Sequence, residues 1–176
     1  MDQEALWIAK SKEGDQKAFR SLYDLHLDPL FRFLRQFSAD VSQVEEWVQR
    51  AFIKAYEHLE DFDGRSRFSS WLFKIGLNEM KTDRRRAKIV PFISLEHGEE
   101  PPGEFDPKEF EWDQTMRAWM QELDAAKRAV FILYEIEGYS HAEIADMLNI
   151  GESTSRTFLF RAKRCLKERW TQEVAK

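Results

Sequence analysis

A chain of 176 residues with a net charge of −5, 43% hydrophobic and 14% aromatic, has apolar area for one domain or two small ones and is not a disordered polyelectrolyte. Its 7 Gly and 5 Pro against 34% charged residues favour an all-α fold over a turn-rich β architecture. The single Cys165 excludes an intramolecular disulfide, and no Cys/His spacing suggests zinc; without a leader or an apolar run near the roughly 18 residues of a membrane span, a cytoplasmic protein without membrane insertion, metal or other cofactor is expected.

Asp15 is positioned to cap a helix carrying Phe19, Leu22, Tyr23 and His26, and Asp28-Pro29 reads as the start of another with Leu30, Phe33, Leu34 and Phe37. Ser42 and Glu45 form a capping box for a long helix in which Val44, Trp47, Val48, Ala51, Phe52, Ala55 and Leu59 recur at helical spacing. Turn residues from Asp61 to Ser66 interrupt it, and Ser69 or Ser70 restarts a helix with Trp71, Leu72, Ile75 and Leu77 that runs into three arginines, 84 to 86. Residues 91–112, acidic and containing Pro101-Pro102-Gly103, read as an exposed linker between a domain at 1–90 and one at 113–176. In the second domain Met116, Trp119, Met120 and Leu123, then Ala129, Val130, Leu133 and Ile136, are candidate core. A second capping box, Ser140 with Glu143, opens a short helix; Asn149-Ile150-Gly151 turns the chain into a last helix from about Ser153 to Trp170.

The negative total hides an uneven distribution. Residues 64–90 hold eight bases against Glu79 and Asp83, a local +6; residues 91–114 hold eight acids against Lys108, a local −7; residues 151–170 hold six bases against Glu152 and Glu168, a local +4. Two basic surfaces flanking an acidic connector suit two contacts with a polyanion.

Two stretches carry candidate sites. The short helix, tight turn and basic second helix after Gly138 have the form of a DNA-reading helix-turn-helix, with Thr154, Ser155, Arg156 and Thr157 at the end that enters the major groove and Arg161 about one turn further. From Phe62 to Arg86 aromatics alternate with cations, as unpaired nucleic acid requires: Arg65, Arg67 and Phe68 lie in or beside the turn, and Lys74, Asn78, Lys81 and Arg85, with Arg84 alongside, form a polar helical face. Trp71, Leu72 and Ile75 read as core, and the arginine triplet also suits a helix C-terminus.

With Glu45-Glu46-Trp47-Val48-Gln49-Arg50-Ala51-Phe52, the Phe68-x-Ser-Trp-Leu-x-x-Ile-x-x-Asn stretch and the Glu143-Ile-Ala helix-turn-helix ending in Arg161-Ala162-Lys163, the chain resembles an extracytoplasmic-function (ECF) sigma factor. The resemblance implies two helical domains, sigma regions 2 and 4, and three sets of contacts. Glu45, Glu46, Gln49 and Phe52 would dock on core RNA polymerase. Residues 61–68 with the following helix would capture unpaired bases of the minus-ten promoter element, and the last helix would read minus-thirty-five DNA. It also allows for an anti-sigma partner, which no residue singles out. Trp47 stands where the family usually has Leu, Gly76 where Ala is common, and Phe158 where Arg is frequent, so promoter preference stays open.

A stand-alone helix-turn-helix regulator is the competing reading, but it would have no need of the aromatic and basic stretch before Arg86. An enzyme is not expected, since the four His (26, 58, 97, 141) form no metal spacing and no nucleophile-base pattern appears.

Overall fold

The structure, a computed structural model, describes residues 3–86 and 114–174. The described residues form eight α-helices and no strand, and they fall into two compact units, one within Met1–Val90 and one within Pro91–Lys176. The stretch 91–112, expected as the linker, lies outside the described residues.

Unit 1 comprises α1 (Gln3–Lys12), α2 (Gln16–Leu34), α3 (Val41–Glu57) and α4 (Phe68–Arg86), with a 3-10 turn at Leu59–Asp61. Asp15 caps α2 as its position predicts, accepting from the N–H groups of Lys17 and Ala18 at 2.8 and 3.2 Å. The break expected at Asp28-Pro29 does not occur, and α2 runs straight through Pro29. Leu22, His26, Leu30 and Phe33 keep one buried stripe across the proline, while Leu25, whose carbonyl loses its donor, belongs to an exposed residue. Burying Leu30, Phe33 and Leu34, at about 1.5–3 kcal/mol each, outweighs the roughly 3 kcal/mol penalty of the ring.

The cap of α3 is Asp40 rather than Ser42. Its Oδ1 accepts from the N–H groups of Ser42 and Gln43 at 3.0 and 3.3 Å. Ser38 prepares this earlier start: its hydroxyl accepts from the Asp40 N–H and donates to Gln43 Oε1. Against this frame α4 packs closely at Gly76. A Cβ there would sit 3.0 Å from Leu30 Cδ1 and 3.3 Å from Leu34 Cδ1, so an alanine would have to displace both leucine methyls by a few tenths of an ångström. Trp47 is also explained: its ring is buried and its indole N–H donates to Asp83 Oδ2 at 3.1 Å, an oxygen that also accepts from Gln43 Nε2 at 3.1 Å. A leucine could not make this tie between α3 and α4.

Unit 2 comprises α5 (Gln114–Glu122), α6 (Ala125–Phe131), α7 (His141–Leu148) and α8 (Glu152–Val174), with a π-helical turn at Ile132–Ile136 after α6. Met116, Trp119, Met120, Leu123, Ala129, Val130 and Leu133 are buried as expected, but Ile136 is exposed. The wider π turn shifts it off the stripe that an α-helical count would predict. The Ser140 and Glu143 capping box is present, and Asn149 closes α7 in the left-handed conformation at φ +56°. One buried residue went unanticipated. The Arg128 guanidinium donates to the carbonyls of Met120, Gln121 and Leu123 at 2.7, 2.9 and 2.8 Å, closing the end of α5.

Candidate nucleic-acid interface

In unit 1 the chain between Asp61 and Phe68 is a tight loop anchored at both stems. Phe62 and Phe68 are buried and meet edge to face at 5.6 Å. Asp63 Oδ1 accepts from the Arg65 N–H at 3.0 Å, and Gly64 supplies the left-handed turn at φ +76°. This projects Arg65, whose side chain is 90% exposed and reaches Asp63 Oδ2 at 3.1 Å, together with the exposed Arg67.

Neither of the two aromatics here has the exposure expected of it. Phe68, anticipated at the surface, is 2% exposed and packs on Phe62 and His26, so in this conformation no base can stack on it. Trp71, anticipated in the core, is half-buried, with its ring 5.3 Å from Phe62 and 5.7 Å from Phe68. It shares the outer face of α4 with Lys74, Ile75 and Asn78, and Lys81 lies at that face's edge. Arg84 and Arg85 occupy the last turn of α4, their side chains outside the described residues. Both acids of the stretch are directed to α3: buried Glu79 pairs with Lys54 at 2.5 Å, and Asp83 holds Trp47 and Gln43. Their charge is therefore drawn away from the cationic face.

On α3, Glu45, Glu46 and Gln49 are exposed. Phe52 is 4% exposed, yet its ring floors a surface hollow of about 380 Å³ lined by Phe19, Tyr23, Gln49, Ile53 and Tyr56. A neighbouring hollow of about 280 Å³ shares Tyr23 and Gln49 and includes Glu45. Glu45, Gln49 and Phe52 thus come together, whereas Glu46 pairs with Arg50 one turn on and lines neither hollow. The sequence pattern did not flag Ile53, which is 57% exposed, or Tyr56; a large apolar residue off the buried stripe was the available signal.

In unit 2, α7 and α8 form the helix-turn-helix, and the stripe Ser155, Phe158, Leu159, Ala162 and Leu166 is buried. Ser155 is therefore corrected from a groove contact to a packing residue: it is 0% exposed and hydrogen-bonds His141 Nδ1 at 2.9 Å. Burial of Phe158 likewise accounts for an apolar side chain at that position. Opposite this stripe lie Ser153, Arg156, Thr157, Phe160, Arg164 and Lys167, with Thr154 and Arg161 half-buried on the flanks. Ser153, Phe160, Arg164 and Lys167 were not among the candidates, although stepping three residues back from Arg156, and four, four and three onward, finds them. Arg156 pairs with Glu152 at 2.5 Å within the helix, and Thr157 Oγ1 bonds the Ser153 carbonyl.

His141 ties the two helices together, its ring stacked on Tyr134 at 4.5 Å and bonded to Ser155. Burial, then the Arg156 guanidinium, hold its imidazole below the ordinary value of 6.5 against the opposing pull of Glu152 and Glu135. Below that value the unfolded chain binds this proton more readily than the folded one, so stability contributed here is present at neutral pH and lost as pH falls. The His141 ring is expected to titrate in NMR with a midpoint below 6.5, and His141→Gln is expected to flatten the fall in thermal midpoint under acid. A midpoint above 6.5 would contradict the arrangement.

Comparison with known proteins agrees with this layout. The family models for Sigma-70 region 2 and Sigma-70, region 4 match residues 22–89 and 114–166. RNA polymerase sigma factor NccH of Alcaligenes xylosoxydans xylosoxydans is 33% identical over 164 residues, 88% of this chain and 87% of that protein. ECF RNA polymerase sigma factor SigW of Bacillus subtilis is 29% identical over 175 residues, 92% of this chain and 93% of that protein. Among solved structures, CnrH in complex with the cytosolic domain of CnrY matches with a TM-score of 0.68 at 25% identity, over 95% of this chain and 96% of that one. The sigma factor RpoE in complex with the anti-sigma factor NepR from Bartonella quintana matches at 0.66 and 25%, over 88% and 98%. With both regions in order and relatives similar along nearly their whole length, the chain belongs to the ECF family of RNA polymerase sigma factors.

Proposed function

We propose that this sigma factor directs promoter-specific initiation through two separate readers and performs no chemistry of its own. Residues 1–90 dock on core polymerase and capture the unpaired minus-ten strand, residues 113–176 read the minus-thirty-five duplex, and residues 91–112 join them. The observation that carries this reading is the exposure of Arg65 and Arg67 on the loop together with Lys74, Asn78 and the half-buried Trp71 along the outer face of α4. Cations with an aromatic plate are what a strand with splayed bases needs. The residues opposite the buried stripe of α8, led by Arg156 and Thr157 and flanked by Thr154 and Arg161, suit the major groove.

Docking on polymerase is assigned to Glu45, Gln49 and Phe52 around the two hollows, with Glu46 at the edge; exposed Ile53 and Tyr56 beside them suit a partner helix with an apolar face. The same surface is a candidate for an anti-sigma partner, which CnrH and RpoE suggest by their complexes with the CnrY domain and NepR. Action in the cytoplasm follows from this role, and no helix among the described residues is long and apolar enough to cross a membrane.

Run-off transcription with core polymerase on a promoter library tests the reading. Co-elution with core and a specific transcript are expected. Duplex binding with neither would favour the stand-alone regulator. Arg156→Ala is expected to weaken promoter binding by about 1–3 kcal/mol, concentrated at one base pair if the guanidinium grips a base edge. A uniform loss with a salt slope smaller by about one would move Arg156 to the phosphates.

A further inference from the structure

The buried stripe of α8 is apolar at Phe158, Leu159, Ala162 and Leu166 but begins with a hydroxyl, that of the fully buried Ser155. An alanine would pack there with no polar atom to satisfy, so the hydroxyl adds little to burial itself. What it supplies is direction. Apolar contacts are non-directional and let a helix turn or slide a little on its neighbours, whereas a hydrogen bond holds only near its proper distance and angle.

The partner of Ser155 is itself fixed. His141 Nδ1 lies 2.9 Å from Ser155 Oγ, and the His141 ring is stacked on Tyr134 at 4.5 Å with 24° between the planes. His141 opens α7 directly after the Ser140 cap. Tyr134 belongs to the π-helical turn, whose Glu135 pairs with Lys163 further along α8 at 2.8 Å. The first turn of α8 is therefore held to α7 and, through the stacked ring, to the π turn. Arg156, the next residue, points about 100° round the helix from Ser155, and Glu152 steadies its guanidinium at 2.5 Å. Ser155 thus fixes the backbone beneath Arg156 while Glu152 fixes the end of its side chain.

We propose that Ser155 and His141 are positioning residues for minus-thirty-five reading: their hydrogen bond, backed by Tyr134, sets the rotation of α8 about its axis and so the aim of Arg156 into the groove. The inference rests on the reading of α8 as the helix that enters the major groove. A bidentate grip on a base edge tolerates only about 10–20° of misalignment, and a stripe of apolar contacts alone does not hold a helix that closely.

The test uses holoenzyme assembled from the full chain and core polymerase on a promoter duplex selected from the run-off library, comparing Ser155→Ala, Arg156→Ala and the two combined. Ser155→Ala is expected to weaken binding about fivefold, the low end of what one bidentate base contact supplies. That loss should vanish when Arg156 is already alanine, and the thermal midpoint should stay near that of the unaltered chain. His141→Phe with Ser155→Ala removes both partners, leaves no buried hydroxyl unmet and keeps a ring against Tyr134, so it should fold and show the same loss. His141→Asn, whose side-chain amide sits where Nδ1 lies, should retain most of the affinity. Normal binding by Ser155→Ala, or an equal loss with and without Arg156, overturns the positioning role and leaves groove reading by α8 standing. Normal binding by Arg156→Ala overturns the groove assignment of Arg156 itself. A fall in thermal midpoint that accounts for the losses assigns the pair to folding alone, and a loss in His141→Asn as large as in Ser155→Ala removes the hydrogen bond as its source.

Discussion

Arg128→Met is expected to unfold the second unit while the first stays folded and able to bind core polymerase. The guanidinium satisfies three main-chain carbonyls at the end of α5 and also the Gln121 side chain, in a site only 8% exposed. Methionine retains much of the apolar stem but none of the donors, leaving buried carbonyls that cost about 1–3 kcal/mol each when unmet. A domain of this size has only about 5 kcal/mol in reserve, and losing all three bonds, at about 3–9 kcal/mol together, consumes most or all of it. Calorimetry should show one transition lost or moved far down in temperature, with minus-thirty-five binding lost alongside. Arg128→Lys should rescue poorly, because one ammonium cannot span a fork of three acceptors. A wild-type transition in Arg128→Met would show that solvent or another side chain can replace the cap.

The elements most legible in the sequence were those specified locally. The cap at Asp15, the Ser140 and Glu143 box and the left-handed Asn149 each depend on a few adjacent residues, so the start of α2 and the helix-turn-helix could be located from the sequence. Where two local signals competed, the tertiary frame decided. Pro29 should have broken a helix and did not, because the buried stripe continued past it; Ser42 had the form of a cap, but Ser38 prepared Asp40.

Site residues failed for a different reason. Phe68 and Trp71 are both aromatic and lie within the first turn of α4, and which one turns inward is set by the contacts with Phe62 at the other stem of the loop and with His26, 42 positions earlier. Ser155 is polar and at the groove end of α8, but it faces His141 across the motif. Arg128 looks like an ordinary solvated helix residue until the end of α5 is placed beside it. The sequence patterning marked the candidate reading surfaces as stretches; which side chains within them are exposed depended on tertiary packing.

The double replacement Arg65→Ala with Arg67→Ala should then separate promoter opening from promoter binding. Both side chains project from a loop whose stems are held by Phe62 and Phe68, so truncating them should leave the packing intact. Closed-complex binding, assigned mainly to α8 on intact duplex, should change little. Opening should fall about a hundredfold if each arginine supplies one phosphate or base contact, at about 1–3 kcal/mol apiece. The salt dependence of strand binding should also weaken by a slope of about one to two, since up to two fewer counterions are released. A pre-melted template distinguishes two roles: a variant slow only in separating the strands recovers on it, whereas one that has lost its grip on the unpaired bases remains defective. Persistence of the defect is the expected result, because Arg65 and Arg67 are assigned to contacts with the unpaired strand rather than to the separation of paired bases. Normal permanganate reactivity of the double variant on duplex DNA would make the loop a connector and leave minus-ten reading to the α4 face alone.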